Sequence, residues 1–397
     1  MTDRMNGFAL ENFAQIKVIG VGGGGCNAVD RMIEEDVQGV DFVAVNTDAQ
    51  ALLHAKAPIR VRIGDKLTRG LGSGGNPVIG QKSAEEDEDV LLEQLKGADM
   101  VFVTAGMGGG TGTGASPIIA GFAQDHGALT VGVVTKPFTF EGNHRRKVAE
   151  QGIDQLRPVV DTLIVIPNDR LLQNASKNTS MLQAFQMADS VLLHGIQGIS
   201  SLITQRGLIN VDFADVKAIM QQAGSALMAI GIGEGDNRMV EAVNRAIASP
   251  LLEVNIDGAK GVLFNVTGGE DLGLLEIYEA ADIVAKSVDP DANIIVGAVI
   301  DPTMTNGQVK ITLIATGFDV NKPNVQRTRS YPSVVTPASS SAAPHAPQAP
   351  EPEPATADQK SPRRPTTQPP VRATPSFSSS EDLEIPPFLR NRNRNRK

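Results

Sequence analysis

Tryptophan is absent from the 397-residue sequence, tyrosine occurs twice, and cysteine once, at Cys26. A lone cysteine cannot close an internal disulfide, so the fold must rest on packing alone. No apolar run approaches the roughly 18 residues of a membrane-spanning helix, and direct membrane insertion is not expected. The N-terminus lacks the basic-then-apolar pattern of a secretion signal, so a reducing cytoplasm is the expected compartment. No G-x-x-x-x-G-K-[S/T] segment occurs anywhere, which rules out a P-loop enzyme.

Positive charge is scarce where it would matter for nucleic acid. The net charge is −9. From Val320 onward there are 12 Lys/Arg and 6 Asp/Glu, so the tail carries +6 and the preceding residues −15. An acidic body does not neutralise phosphate backbones, and no nucleic-acid partner is expected.

What is present is organised in three stretches. Residues 17–167 alternate short β-branched runs at 16–20, 42–46, 100–104, 130–135 and 162–166 with helical segments at 84–95 and 116–126. Nearly continuous apolar strands with intervening helices predict a doubly wound, mostly parallel α/β domain. Apolar residues from Met181 to Ile203 then recur at three- and four-residue steps, predicting one long helix with Ser180 as N-cap and Gly207 as its stop. A smaller α/β unit follows, with strands at 226–232, 261–267, 293–299 and 308–315, helices at 238–248 and 274–287, and closing strands open to antiparallel pairing. Beyond Phe318 the composition shifts: 15 of the 24 prolines lie at or after Pro323, among Ser, Ala and Thr. Such a stretch predicts a disordered linker. Apolar residues return only at 381–390, ahead of alternating Arg and Asn.

Chemistry concentrates in glycine. The first strand runs into Gly20-Val-Gly-Gly-Gly-Gly-Cys-Asn27 and then a helix. A glycine turn between strand and helix lets backbone N–H groups approach phosphate. Gly20, Gly22 and Gly25 also satisfy G-x-G-x-x-G with Asp41 about twenty residues on, so an NAD-type dinucleotide-binding oxidoreductase stays open at this point. A second glycine turn, Ala105-Gly-Met-Gly-Gly-Gly-Thr-Gly-Thr-Gly114, follows another strand. A dinucleotide fold does not need it; a polyphosphate gripped from two sides does. Thr111 and Thr113 offer hydroxyl donors there.

The run Gly108-Gly-Gly-Thr-Gly-Thr-Gly114 resembles the signature loop of the tubulin/FtsZ family of GTPases. Thr135-Lys-Pro-Phe-Thr-Phe-Glu-Gly142, Asn210-Val-Asp-Phe-Ala-Asp-Val216 and Asp382-Leu-Glu-Ile-Pro-Pro-Phe-Leu-Arg390 resemble further segments of that family, in order and spacing. The resemblance spans about residues 12–318 plus the terminal peptide. It implies a GTP-binding domain at 12–178, a central helix at 179–207 and a C-terminal assembly and activation domain at 208–318. Flanking these are a disordered N-terminus at 1–11, a linker at 319–380 and a partner-binding peptide at 381–397.

Individual roles divide between chemistry and resemblance. Phe185 and Asp189 are one helical turn apart. Guanine's N1–H and amino group suit a carboxylate, and Phe185 could cover the ring. A solvated Asp beside a core Phe is the commoner meaning of this pair, and the resemblance turns it toward guanine. Asn27 and Asn168 are candidates for base or ribose contacts. Gly23, Gly24, Gly25, Cys26, Gly109, Gly110, Thr111 and Gly112 are the expected phosphate contacts; Cys26 stands where relatives often carry Gly, Ser or Asn. Glu141 and Arg145 read as a surface ion pair by spacing, and by resemblance as ribose and phosphate contacts. Asp212 and Asp215 sit where a helix N-cap and first turn belong. By resemblance, Asn210, Asp212 and Asp215 are delivered to a neighbouring subunit's nucleotide and complete catalysis there. Mg²⁺ is expected on the phosphates, with no protein ligand readable.

The resemblance further implies a bacterial cell-division protein at mid-cell that forms head-to-tail filaments and a Z ring. Assembly regulators and anchors of the FtsA or ZipA type, bound through 382–390, are the expected partners. A nucleotide-binding scaffold without turnover is the remaining alternative.

Overall fold

The structure is a computed structural model, describing residues 14–318 apart from 175–177, 206, 253–255, 302–303 and 305–306. The expectations for 1–11, for the linker and for the terminal peptide lie outside the described residues. Ten strands are defined among the described residues: β1 (Ile16–Val21), β2 (Asp41–Asn46), β3 (Ile59–Arg62), β4 (Met100–Gly106), β5 (Leu129–Lys136), β6 (Thr162–Pro167), β7 (Gly224–Glu234), β8 (Gly261–Gly268), β9 (Asn293–Ile300) and β10 (Gln308–Thr316). They form one sheet in the order β3-β2-β1-β4-β5-β6-β7-β10-β8-β9.

The first six strands are parallel, and all but the edge strand β3 are almost wholly buried, as their unbroken apolar runs require. β7 joins this half to the rest through a short parallel pairing, Thr162–Ile164 with Gly224–Ala226. β10 then runs antiparallel to both β7 and β8, while β9 is parallel to β8. One sheet therefore continues through both halves.

The central helix, Met181–Thr204, covers that junction. Ser180 and Gln183 cap it reciprocally through side-chain and backbone hydrogen bonds. Its Ala188, Leu192, Ile196 and Ile199 share one core cluster with Val133 and Ile164 of the first half and with Met228, Leu263 and Ile314 of the second. Close approach depends on missing side chains: a Cβ at Gly198 would lie 2.6 Å from the Thr312 methyl, and one at Gly297 2.2 Å from Leu202.

Several local expectations change. The helix ends at Thr204, capped by Gln205, three residues before the expected stop. Gly207 has a different use, because a Cβ there would lie 2.1 Å from the Ala298 carbonyl oxygen. The segment 84–95 is two helices, Pro77–Glu86 and Glu88–Leu95, meeting at Asp87. β3, a four-residue edge strand with one buried side chain, was not anticipated. Both glycine turns also extend into helix: helices Gly22–Glu34 and Thr111–Asp125 begin within the glycine runs themselves.

Candidate functional site

β1 and β4 are neighbours with Gly20 opposite Thr104, so the two glycine runs leave the sheet side by side. They interlock. A Cβ at Gly22 (φ +70°) would lie 2.7 Å from the Gly112 nitrogen, one at Gly24 3.2 Å from Gly106, and one at Gly25 2.3 Å from the Thr104 carbonyl. Only glycine permits this contact and the left-handed backbone at Gly22. By contrast, a Cβ at Gly23 or Gly109 would meet nothing within 4 Å. Two helix N-termini thus converge with their unpaired N–H groups beside open space, a geometry suited to an anion.

The threonines serve the turn. Thr111 is buried, and its hydroxyl bonds to those of Thr47 (2.7 Å) and Ser73 (3.0 Å). Thr113 accepts from the Gly108 N–H at 2.8 Å. Both hydroxyls help to hold the second turn in shape, a use that the sequence did not show. Packed against the same turn, Gly110 would place a Cβ 2.2 Å from the Ser73 hydroxyl. Cys26 points away from the open space into the core, with weak contacts to the Gly20 and Val45 carbonyls. Burial pushes its thiol up to about 12, so it is not a reactive group. Asn27, one residue on, is exposed.

Beside the turns, Phe185 projects from the central helix with 39% of its surface exposed. Phe138 and Phe140 stack on each other at 5.2 Å and meet Phe185 edge-on at 5.6 and 6.4 Å. These two partners were missed from the sequence, although both lie in the segment Thr135–Gly142 that carries part of the family resemblance. Asp189 lies one turn further along the helix, half-buried and without a hydrogen bond among the described residues. Desolvation pushes its carboxyl up to about 6, against a smaller opposing pull from Arg31. Asn168 starts the short helix after β6; it is buried, and its Oδ1 has no partner among the described residues. A buried amide oxygen left unpaired is costly, and a bound donor would satisfy it.

Glu141 accepts from the Phe138 N–H at 2.9 Å and pairs with Arg145 at 3.0 Å. The pair is not on one helix surface: Glu141 closes a short 3-10 turn and Arg145 lies in the next helix, Asn143–Leu156. Arg145 keeps half its side chain exposed.

Asn210, Asp212 and Asp215 are elsewhere. The central helix starts near the phenylalanines and ends with Thr204 against Gly39, before β2, at the opposite ends of the parallel strands. Twenty-four residues of helix span about 36 Å. Within one chain, these three residues are not brought to the glycine turns. Asn210 accepts from the Gly207 N–H at 2.7 Å, and Ile209 bridges to Ala298 of β9. Asp212 caps helix Phe213–Met220 in a reciprocal box with Asp215. The capping expected from spacing is therefore present, and both carboxylates are exposed.

Among the described residues, no group of three or more His, Cys, Asp or Glu side chains could hold a metal ion, and no helix is long and apolar enough to cross a membrane. A cavity of about 570 Å³ between the central helix and the C-terminal strands lies away from the glycine turns.

Comparison with known proteins places this geometry. The profile of the tubulin/FtsZ family GTPase domain matches residues 15–176, and that of the FtsZ family C-terminal domain matches 224–319. An FtsZ from M. jannaschii, solved as an empty dimer, is 48% identical, with a TM-score of 0.74 over 77% of this chain and 88% of that one. A mutant of that FtsZ matches equally, over 91% of its length. CetZ1 from Haloferax volcanii, a GDP-bound monomer, shares the fold at 23% identity and a TM-score of 0.67, over 79% of this chain and 96% of its own. The oxidoreductase alternative finds no support in these matches. With both halves matched and almost half the residues identical to a relative covered over most of its length, the chain belongs to the tubulin/FtsZ family.

Proposed function

We propose that this chain is a bacterial cell-division GTPase that polymerises head to tail and hydrolyses GTP between successive subunits. The observation that carries the reading is the separation of its parts. An anion cradle lies at one end of the central helix, and a carboxylate-bearing loop lies at the other, about 36 Å away. Neither end is sufficient alone, and stacking one subunit on the next unites them.

In this reading the phosphates rest on the backbone of Gly23–Cys26 and Gly109–Gly112, with Arg145 adding charge. Glu141 and Asn27 face the ribose. Phe185 covers the base, Asp189 accepts from its N1–H and amino group, and Asn168 supplies its unpaired oxygen to a donor. No group of the described residues is arranged to hold Mg²⁺, so the ion would enter with the nucleotide and would supply charge neutralisation of its phosphates. Asn210, Asp212 and Asp215 of the next subunit orient the attacking water or accept its proton.

Exposed apolar side chains support the same contact. Phe140, Met181 and Leu182 are exposed at the cradle end. At the other end, Leu208 is exposed beside β9, and Leu274, Leu275 and Tyr278 are exposed on the helix that follows β8. Paired patches of this kind mark an interaction surface. The terminal peptide 381–397, with Ile385, Phe388 and Leu389 as anchors, tethers the polymer to membrane-anchor proteins of the FtsA or ZipA type at mid-cell, and assembly regulators act on the same filament.

The test is phosphate release from GTP against protein concentration, with sedimentation in parallel and NAD binding as a control. Turnover should rise steeply above the concentration at which GTP-dependent pelleting begins. Full turnover in dilute monomer, or NAD binding without turnover, refutes the proposal.

A further inference from the structure

Residues 138–141, ending in the 3-10 turn Thr139–Glu141, connect β5 to helix Asn143–Leu156. Phe138 and Phe140 flank Thr139, and both rings meet Phe185 edge-on. Glu141 closes the turn by accepting from the Phe138 N–H. The other bonds within the segment are equally local. The Glu141 N–H donates to the Phe138 carbonyl at 3.0 Å, the Gly142 N–H to the Thr139 carbonyl at 3.2 Å, and Glu141 pairs with Arg145. These contacts give the turn a shape but do not fix where it stands. Thr139 and Phe140 are exposed, so burial does little to hold the tip.

A carboxylate from a neighbouring element grips that tip. Asp169 lies in the short helix Asn168–Leu171 that follows β6, the strand beside β5. Its Oδ1 accepts from the Thr139 N–H at 2.9 Å, and its Oδ2 accepts from the Thr139 hydroxyl at 2.6 Å. Both oxygens thus hold one residue, 30 positions away in the chain. Hydrogen bonds to an ionised carboxylate are stronger than neutral ones, and two of them fix orientation as well as distance. Asn168, with its unpaired Oδ1, immediately precedes Asp169 in the same helix. A turn without this grip would have to be ordered as nucleotide arrives, and each backbone residue so fixed lowers affinity.

We propose that Asp169 is a positioning residue for nucleoside recognition: through its two bonds to Thr139 it fixes the turn carrying Phe138, Phe140 and Glu141 against Phe185, so that the base and ribose contacts stand ready before nucleotide binds. The inference rests on Phe185 and Glu141 facing the nucleoside, as proposed above. Asp169 touches no nucleotide in this scheme and acts only through the turn. The phosphates rest on the glycine turns, so their share of the affinity does not depend on it.

Asp169→Ala, Asp169→Asn, Thr139→Val and Thr139→Ser in the full chain test the idea, with thermal melts to verify folding and Phe185→Ala as the control for the nucleoside site. Two quantities are measured below the concentration at which assembly begins: amide exchange of residues 138–141 in nucleotide-free protein, and the affinities for GTP and GDP. Asp169→Ala should speed exchange at the turn and weaken GTP roughly 5- to 30-fold, the affinity equivalent of ordering about one backbone residue on binding. GDP should weaken by the same factor, because the γ-phosphate lies outside the effect. Asp169→Asn, which keeps the contacts without the charge, and Thr139→Val, which keeps the N–H bond, should fall between. Thr139→Ser keeps both bonds and should match the native protein. Asp169→Ala combined with Thr139→Val should bind no worse than Asp169→Ala alone, as for two ends of one contact. Native exchange at the turn, or faster exchange with native affinity, in folded Asp169→Ala overturns the positioning role while Phe185→Ala still weakens GTP. A loss in Asp169→Ala that Thr139→Val does not share, or that spares GDP, overturns it as well. Native GTP affinity in Phe185→Ala overturns the nucleoside site itself, and the proposal with it.

Discussion

Burial holds the Asp189 carboxyl at a pKa of about 6, above the 3.8 it would have in an unfolded chain. The raised value fixes the sign of its linkage to stability. The favourable contribution is complete below about pH 4 and is lost as pH rises through about 6. At pH 7.5 the charged carboxylate therefore opposes folding of the nucleotide-free protein. Asp189→Asn should raise stability there by about 1–2 kcal/mol in denaturant melts, with the gain vanishing near pH 4. The same variant should bind GTP more weakly by about 1.5–3 kcal/mol in calorimetry, because a charge-assisted acceptor is gone. A residue kept only for packing would not move the two quantities in opposite directions. Gly109 and Gly108 separate in a similar way. Gly109 has open space at its Cβ and an ordinary φ, so Gly109→Ser should melt normally yet impair GTP binding or turnover. Gly108 has φ +99° and would meet the Arg145 backbone at 2.7 Å, so Gly108→Ala should lose stability first. At this scale the glycines were legible, since few other needs place a run of seven small residues, Gly108–Gly114, at the passage from strand to helix. The bonds of Thr111 to Thr47 and Ser73 were not legible, because those partners lie 64 and 38 positions away in the chain.

Helix Phe213–Met220 presents a conflict between capping and catalysis in the same two carboxylates. Asp212 accepts from the Asp215 N–H at 2.8 Å, and the Asp215 carboxylate receives the Asp212 N–H. Asparagine caps about as well as aspartate but can neither take a proton nor hold water by charge. Asp212→Asn should therefore leave thermal stability and GTP affinity close to native and lower phosphate release by roughly 10²–10⁴-fold. Asp212→Ala should lose the cap as well, at about 1 kcal/mol. If Asp212→Asn hydrolyses GTP at the native rate, capping is its whole role. The elements themselves were largely visible in sequence. β1, β2, β4, β5 and β6 begin and end within two residues of their apolar runs, because buried parallel strands must be apolar throughout. β3 escaped notice because an edge strand with one buried side chain, Val61, has no such run. The break at Asp87 escaped because the helical pattern continues in phase across it.

Across the whole molecule, the central helix keeps the two halves of the proposed active site apart, and that distance makes the mechanism testable by mixing. A head-to-tail junction needs the cradle of one subunit and the loop of the next, a heterologous contact that repeats without closing. Arg145→Ala impairs the cradle while its loop stays whole. Asp212→Asn impairs the loop while its cradle stays whole. Each protein alone builds only defective junctions. In an equimolar copolymer with random order, about a quarter of junctions pair a native cradle with a native loop, so turnover should return to about a quarter of the native rate. Arg145 suits the test because its side chain is half exposed and loss of its ion pair with Glu141 leaves Glu141 still bonded to the Phe138 N–H. Its loss should not unfold the segment. Co-sedimentation of the two variants confirms that mixed polymers form. Mixed polymers that pellet without any recovery of phosphate release would place both functions within one subunit. That outcome would require the loop to cross the length of the central helix, which its hydrogen bond to Gly207 and its bridge to β9 oppose. Recovery that scales with the product of the two variants' fractions, greatest at equal amounts, is the result a shared site demands.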